Sequence, residues 1–303
     1  MQEKHFVLRS KADDLPLHGV IFEPDGEKKG VVQILHGMCE FKERYQTFMQ
    51  RFADNGYVVV CHDQRGHGDS VLCAEDLGYF YDNTGKAIVE DAAQVTEYIQ
   101  ENYPNLPITL FGHSMGSMVA RCYLREHDDL IDKAIICGSP SKNPCAGIAI
   151  FMAKWIALIR GKKHRSRLLS YLSTGRGNKK FPGEAKGAWL SQNRENIQAF
   201  YTNPKGRYVF TCNGFENLFR LMKTTYQKKG YLVKNSTLPI HFVSGSNDVV
   251  LGNELQFLKV IECLRDVGYE NVSGKLYEGL RHEIFHDVNK EEVYADLLAF
   301  IAK

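Results

Sequence analysis

Short apolar runs of four or five residues alternate along this chain with longer stretches in which apolar residues recur every three or four positions. The first pattern belongs to buried strands and the second to helices with one buried face. Strands are predicted at His5–Leu8, Gly19–Phe22, Val31–Leu35, Tyr57–Cys61, Ile108–Phe111, Ala134–Cys137, Ile240–Val243 and Gly274–Tyr277. Helices are predicted at Arg44–Asn55, Gly85–Asn102, Met115–Glu126, Glu254–Val267 and Lys290–Ile301. Such an alternation builds a mostly parallel eight-stranded sheet with helices on both faces, an α/β architecture. Between about 141 and 235 the pattern breaks. "GIAIFMAKWIALIRGKKHRSR" reads as an apolar helix ending in a cationic cluster, with loops and short helices after it. The expected organisation is therefore a core over 1–140, a helical cap inserted over one edge of the sheet at 141–235, and the rest of the core over 236–303.

Charge sharpens that division. Residues 141–235 hold 19 Lys and Arg against three acidic residues, a net of +16, while the remainder holds 19 against 33, a net of −14. With 44% hydrophobic and 24% charged residues, a buried core is expected and disorder is not. The opening "MQEKHFVLRSKADD" has no apolar run behind a basic start, so no secretory signal is expected. No stretch reaches the roughly 18 apolar residues of a membrane span. Eight cysteines without a C-x-x-C pair read as reduced thiols of a cytoplasmic protein. "RHEIFHD" pairs two histidines one helical turn apart but lacks the rest of a zincin motif, so no metal and no cofactor is expected. The basic segment carries no nucleic-acid recognition motif and no aromatic–basic interleaving, which argues against a nucleic-acid partner.

The chemistry is expected at "ITLFGHSMGSMVARCYL", an apolar strand, then G-H-S-M-G, then a helix pattern. In that context Gly112 and Gly116 let strand and helix pack closely while Ser114 is aimed outward as a nucleophile; the alternative is a Gly-Ser turn that only caps a helix. A serine needs a base, itself oriented by an acid. Asp248 stands in the polar turn after the strand of "LPIHFVSGSNDVVLG", a position an Asx-turn residue would also suit. His282 follows the last strand in "VSGKLYEGLRHEIFHD". His286 competes with it from one helical turn on, but a base belongs on the loop near the strand end. Two N–H donors for an oxyanion are expected from Met115 and from Met38, in "LHGMCEFKERY" after the third strand.

Together these segments, with "VVVCHDQRGHGDS", resemble the α/β-hydrolase fold and its monoacylglycerol lipase and lysophospholipase branch. The resemblance covers nearly the whole core and is weakest in the insertion, the family's variable cap. It implies a catalytic triad at Ser114, Asp248 and His282 and oxyanion donors at Met38 and Met115. One departure lies after the oxyanion residue, where the family usually has Gly then Glu-His and this chain has Cys39, Glu40 and Phe41. Glu40, Arg44, Arg65 and His67 read as support for the loops. The expected activity is that of a serine hydrolase forming an acyl-enzyme on a small ester or single-chain glycerolipid. Rival readings are a short-chain carboxylesterase or aminopeptidase-like peptidase of the same fold, and a non-catalytic binding module. The apolar run beside "RGKKHR" is expected either to rest on an anionic membrane surface, making the protein peripheral there, or to pack as a lid.

Overall fold

The computed structural model of the chain describes residues 1–174 and 177–303, with the backbone only at Thr174. Eight strands are present among the described residues: β1 (Gln2–Arg9), β2 (Pro16–Glu23), β3 (Gly30–Leu35), β4 (Tyr57–His62), β5 (Ile108–His113), β6 (Lys133–Cys137), β7 (Ile240–Gly245) and β8 (Val272–Tyr277). They form one sheet in the order β1-β2-β4-β3-β5-β6-β7-β8. β1 pairs antiparallel with β2, and β2 antiparallel with β4. Every other pairing is parallel.

The central strands are apolar at nearly every position because both faces are covered, and alternation sorts their side chains between two cores. Val31 and Leu35, Val58 and Val60, Ile108 and Leu110, and Ala134 and Ile136 face one core. Val32 and Ile34, Val59 and Cys61, Phe111, and Ile135 and Cys137 face the other. The first core is closed by α2 (Ala87–Asn102), α3 (Met115–Tyr123) and α8 (Glu254–Arg265), and the second by α1 (Gln46–Ala53) and α9 (Lys290–Ala302). The predicted helix at Arg44 starts two residues later, because residues 42–45 form a 3-10 turn. The helix from Met115 ends at Tyr123, three residues short, in turns through Glu126.

Between β6 and β7 the chain leaves the sheet for α4 (Ala146–Arg160), α5 (Arg167–Thr174), α6 (Arg194–Thr202) and α7 (Cys212–Thr225). These helices are not alike. In α7, Phe215, Leu218, Phe219 and Leu221 are buried in the first core, and its Asn213 and Asn217 side chains accept from the N–H groups of Phe80 and Gly85. α4 buries only Ala146, Ala149 and Ala153, a stripe of small residues that lets it lie close on α7. Ile148, Phe151, Trp155, Leu158 and Ile159 face outward, Leu158 at 76% exposure. Sections of the insertion line a chamber over the strand ends that carry Gly37, Ser114, Pro140 and Val249, so it lies across the carboxyl ends of central strands and not over a sheet edge.

Candidate active site

At the end of β5 the chain turns sharply into α3 with Ser114 at the junction, φ 53° and ψ −113°. An L-residue adopts that positive φ only at a cost, which the surrounding packing must offset. The tightness has a direct measure. A Cβ on Gly112 would lie 2.4 Å from the carbonyl oxygen of Gly116, and one on Gly116 would lie 2.0 Å from that of Leu35. Helix and strand touch through backbone at both places, so only glycine fits. The Ser114 N–H is fixed to the Cys137 carbonyl at 2.9 Å.

The structure brings the three predicted side chains together. Ser114 Oγ lies 2.8 Å from His282 Nε2, and His282 Nδ1 lies 2.8 Å from Asp248 Oδ2. Asp248 also accepts from Ser244 Oγ at 2.9 Å and from the Val250 N–H at 2.8 Å, so both its oxygens are used. Burial alone would raise the Asp248 carboxyl, but His282 and these donors hold it below the ordinary carboxylate value. For His282, burial favours the neutral ring; the Asp248 charge and hydrogen bond outweigh it and raise the pKa above the usual histidine value. His286 is elsewhere. Its ring packs against Tyr45 and Phe285, its Nε2 has no hydrogen-bond partner among the described residues, and burial lowers its pKa to about 4.

Met38 and Met115 both line the chamber beside Ser114. Met115 opens α3, where first-turn N–H groups have no partner within the helix. The Met38 N–H makes no hydrogen bond among the described residues. Cys39 adopts φ 58°, the left-handed conformation that glycine takes most readily, at the place where the family usually carries glycine. Its thiol donates to the Tyr208 carbonyl of the insertion at 3.5 Å.

Glu40 and Arg44, expected to support the loops, anchor a network whose other members sequence reasoning missed. Glu40 accepts from the Gly37 N–H at 2.6 Å and from Tyr45 Oη at 2.8 Å, and it lies 3.2 Å from His113 Nδ1. Desolvation would raise this buried carboxyl; His113, Arg44 and Tyr45 overcome it and hold it well below its ordinary value. Arg44 reaches Glu40 at 3.2 Å, both oxygens of Glu283 at 2.9 and 3.0 Å, and Asn196 Oδ1 of α6 at 3.3 Å. It thereby ties the loop after β3 to the loop that carries His282. The His282 loop is in turn bonded to the insertion: Glu283 N–H to the Leu190 carbonyl at 2.7 Å, Arg281 to the Ala188 carbonyl at 2.6 Å, and Ser191 Oγ to Asp287 at 3.0 Å. Trp189 lies against the His282 ring, centroids 5.3 Å apart. Of the members that were missed, Glu283 was the most accessible to reasoning, since it follows His282 directly. Arg65 and His67 lie outside the chamber: Arg65 is buried with Asp91 and Asp13, and His67 packs on His36, Phe80 and Phe210.

The chamber has a volume of about 2220 Å³. Among the described residues, buried Met115, Met118 and Leu218 and six cations line it. No group of three metal-ligating side chains occurs among the described residues, and none of their helices is long and apolar enough to cross a membrane.

The chain and its fold are similar to those of known proteins. Residues 26–289 match the family described as serine aminopeptidase, S33. Human monoglyceride lipase is 31% identical over 290 residues, covering 88% of this chain and 84% of the lipase. Monoacylglycerol lipase of Mycolicibacterium smegmatis is 26% identical over 288 residues, covering 93% and 91%. The crystal structure of a thermostable carboxyl esterase from Bacillus coagulans, in complex with glycerol, superposes with a TM-score of 0.89 at 26% identity, covering 99% of this chain and 98% of the esterase. The chain belongs to the serine aminopeptidase S33 family of α/β-hydrolases, within the branch of monoacylglycerol lipases and lysophospholipases.

Proposed function

We propose that the protein is a serine hydrolase that cleaves carboxylic esters of single-chain glycerolipids through an acyl-enzyme. The observation that carries this reading is the unbroken hydrogen-bonded chain from Ser114 through His282 to Asp248. With its Nδ1–H donated to Asp248, His282 presents a bare Nε2 to the serine hydroxyl. It takes the proton as Oγ attacks the ester carbonyl, then returns it to the departing alcohol. The N–H groups of Met38 and Met115 receive the negative charge that develops on the carbonyl oxygen. Water, deprotonated by the same histidine, then attacks the acyl-serine; the acid leaves and Ser114 regains its proton.

The peptidase reading finds less support. An aminopeptidase holds a protonated amine, which calls for a free carboxylate near the nucleophile. The three carboxylates that line the chamber, Glu40, Glu184 and Glu283, are each engaged by an arginine: Arg44 for the first and third, Arg281 for the second.

A membrane contact is the second part of the proposal, and its support is the outward face of α4 with Leu168 and Leu172 of α5 beside it. The cationic cluster expected to help is largely spoken for. Lys163 pairs with Asp76 at 2.5 Å, Arg165 donates to the Glu75 and Val209 carbonyls, and Arg167 lines the chamber. Lys162 keeps no ion-pair partner among the described residues. Apolar burial, more than charge, would hold the protein on a lipid surface.

The test is turnover of monoacylglycerols, lysophospholipids, p-nitrophenyl esters and aminoacyl amides by the wild type and its Ser114→Ala and His282→Ala forms. The expected result is ester hydrolysis, reduced at least about a thousandfold in both variants with unfolding curves unchanged. Full activity in Ser114→Ala, or amide cleavage in preference to esters, defeats the reading.

A further inference from the structure

We propose that Trp189, a residue of the insertion, decides which alcohol parts the enzyme accepts, by forming the wall against which the departing alcohol lies. This rests on the ester-hydrolase reading above and names the side chain behind its choice of leaving group.

The reaction itself says where the alcohol must be. The carbonyl carbon becomes bonded to Ser114 Oγ, and the alcohol oxygen takes its proton from His282 Nε2, 2.8 Å from that Oγ. Such a proton passes between atoms about 3 Å apart, so the alcohol part begins beside the imidazole. The acyl part is under no such demand. Among the described residues two rings flank the imidazole, His113 with its centroid at 4.9 Å and Trp189 at 5.3 Å. His113 ends β5, is 1% exposed and lies against Glu40. Trp189 is partly exposed and lines the chamber, so it is the ring that an alcohol at Nε2 meets.

The indole is held in register with the base. Arg281 donates to the Ala188 carbonyl at 2.6 Å, and the Glu283 N–H donates to the Leu190 carbonyl at 2.7 Å. The neighbours of Trp189 are thus bonded to the neighbours of His282. Gly177 packs on the indole as well: a Cβ there would lie 2.8 Å from both Cγ and Cδ1 of Trp189. A side chain fixed this closely presents the same surface to every substrate, which discrimination requires. That surface has two parts. The flat face packs against carbon atoms. The N–H has no hydrogen-bond partner among the described residues and is left for a hydroxyl of the alcohol. Methanol engages little of either part, propanol the face alone, and glycerol both.

The experiment compares kcat/KM for three water-soluble butanoyl esters, those of methanol, propanol and glycerol, in the wild type and three variants. Ratios between esters are read, so that the intrinsic reactivity of each ester cancels between proteins. Trp189→Ala should lower the rate on the propyl and glycerol esters at least about tenfold relative to the methyl ester. Trp189→Phe keeps a flat face without the N–H. It should hold the propyl-to-methyl ratio within about threefold of the wild type while the glycerol-to-propyl ratio falls. Gly177→Ala, which displaces the indole without removing it, should shift the ratios in the direction of Trp189→Ala and less far. The ratio of methyl hexanoate to methyl butanoate, which varies only the acyl part, should be the same in all four proteins. Thermal unfolding checks that each variant is folded. Equal losses on all three butanoyl esters would mean that the indole only supports His282, and they overturn the proposal. So do unchanged ratios in Trp189→Ala, or an acyl ratio that moves as far as the alcohol ratios. In those cases ester hydrolysis by Ser114 still stands; absence of wild-type turnover on every ester defeats the ester reading itself.

Discussion

The sheet core and the inserted helices treat their polar and apolar groups in opposite ways. In the core, the buried charges of Arg65 and Lys42 are met by partners from within the chain. Arg65 is fully buried, yet it donates to Asp91, Asp13, Ser10 and the Phe80 carbonyl. Lys42 is held by Asp63 and Asp69. In the insertion, large apolar side chains face outward, and half a dozen cations that line the chamber make no ion pair among the described residues. The difference teaches that the core is written for its own fold and the insertion for what it meets.

The comparison breaks first on stability. Arg65→Ala strands Asp91, nearly inaccessible at 1% exposure, and should cost about 3–5 kcal/mol. Lys228→Ala removes an exposed pair with Asp266 from the insertion and should cost less than about 1 kcal/mol. Denaturant unfolding of the two variants measures both, and similar losses would erase the distinction. A smaller effect, confined to the insertion, is expected from Phe151→Ser with Trp155→Ser. Stability should stay within about 0.5 kcal/mol, since both side chains are exposed. Binding to lipid vesicles should fall at least about tenfold if those rings enter the bilayer interface. A flotation or tryptophan-fluorescence titration that shows equal binding returns the face to a bare surface. With Lys163 paired to Asp76, Arg165 bonded to carbonyls and Arg167 lining the chamber, the gain from anionic lipid should be modest, about 1 kcal/mol.

The smallest effect concerns pH. His282 must be neutral to act as base, and Asp248 raises its pKa above the ordinary 6.5. The rate should therefore rise with pH through a midpoint above 6.5, and Asp248→Asn should move the residual activity's midpoint downward. Profiles of kcat/KM on a soluble ester decide it; an unmoved midpoint would mean that the carboxylate does not set the base.

All eight strands were legible because each is a short apolar run bounded by turn residues, and both faces of the central ones are buried. The five core helices were legible from their spacing, with ends misjudged by a few residues where 3-10 turns and simple turns take over. Ser114, Asp248 and His282 could be picked out because each follows a strand in a recognisable local context. Glu40 and Arg44 read as loop support, but their link to Glu283 could not be drawn, since that residue is far away in sequence and only the fold makes it a neighbour. The insertion resisted for a related reason. α4 announced itself as an apolar run, but α5, α6 and α7 could not be drawn individually. α7 belongs as much to the core as to the cap, and nothing in its spacing says which side it will choose.

The bonds that join the His282 loop to residues 184–196 bear on how this protein could be rebuilt. Glu184, Ala188, Leu190, Ser191 and Asn196 hold Arg281, Glu283 and Asp287 on either side of the histidine. A protein engineer who exchanged the insertion for that of a relative would thus be replacing part of the histidine's mounting along with the roof. The useful seam for such a transplant runs around residues 184–196, leaving that stretch with the core, and only the segments to either side are interchangeable parts.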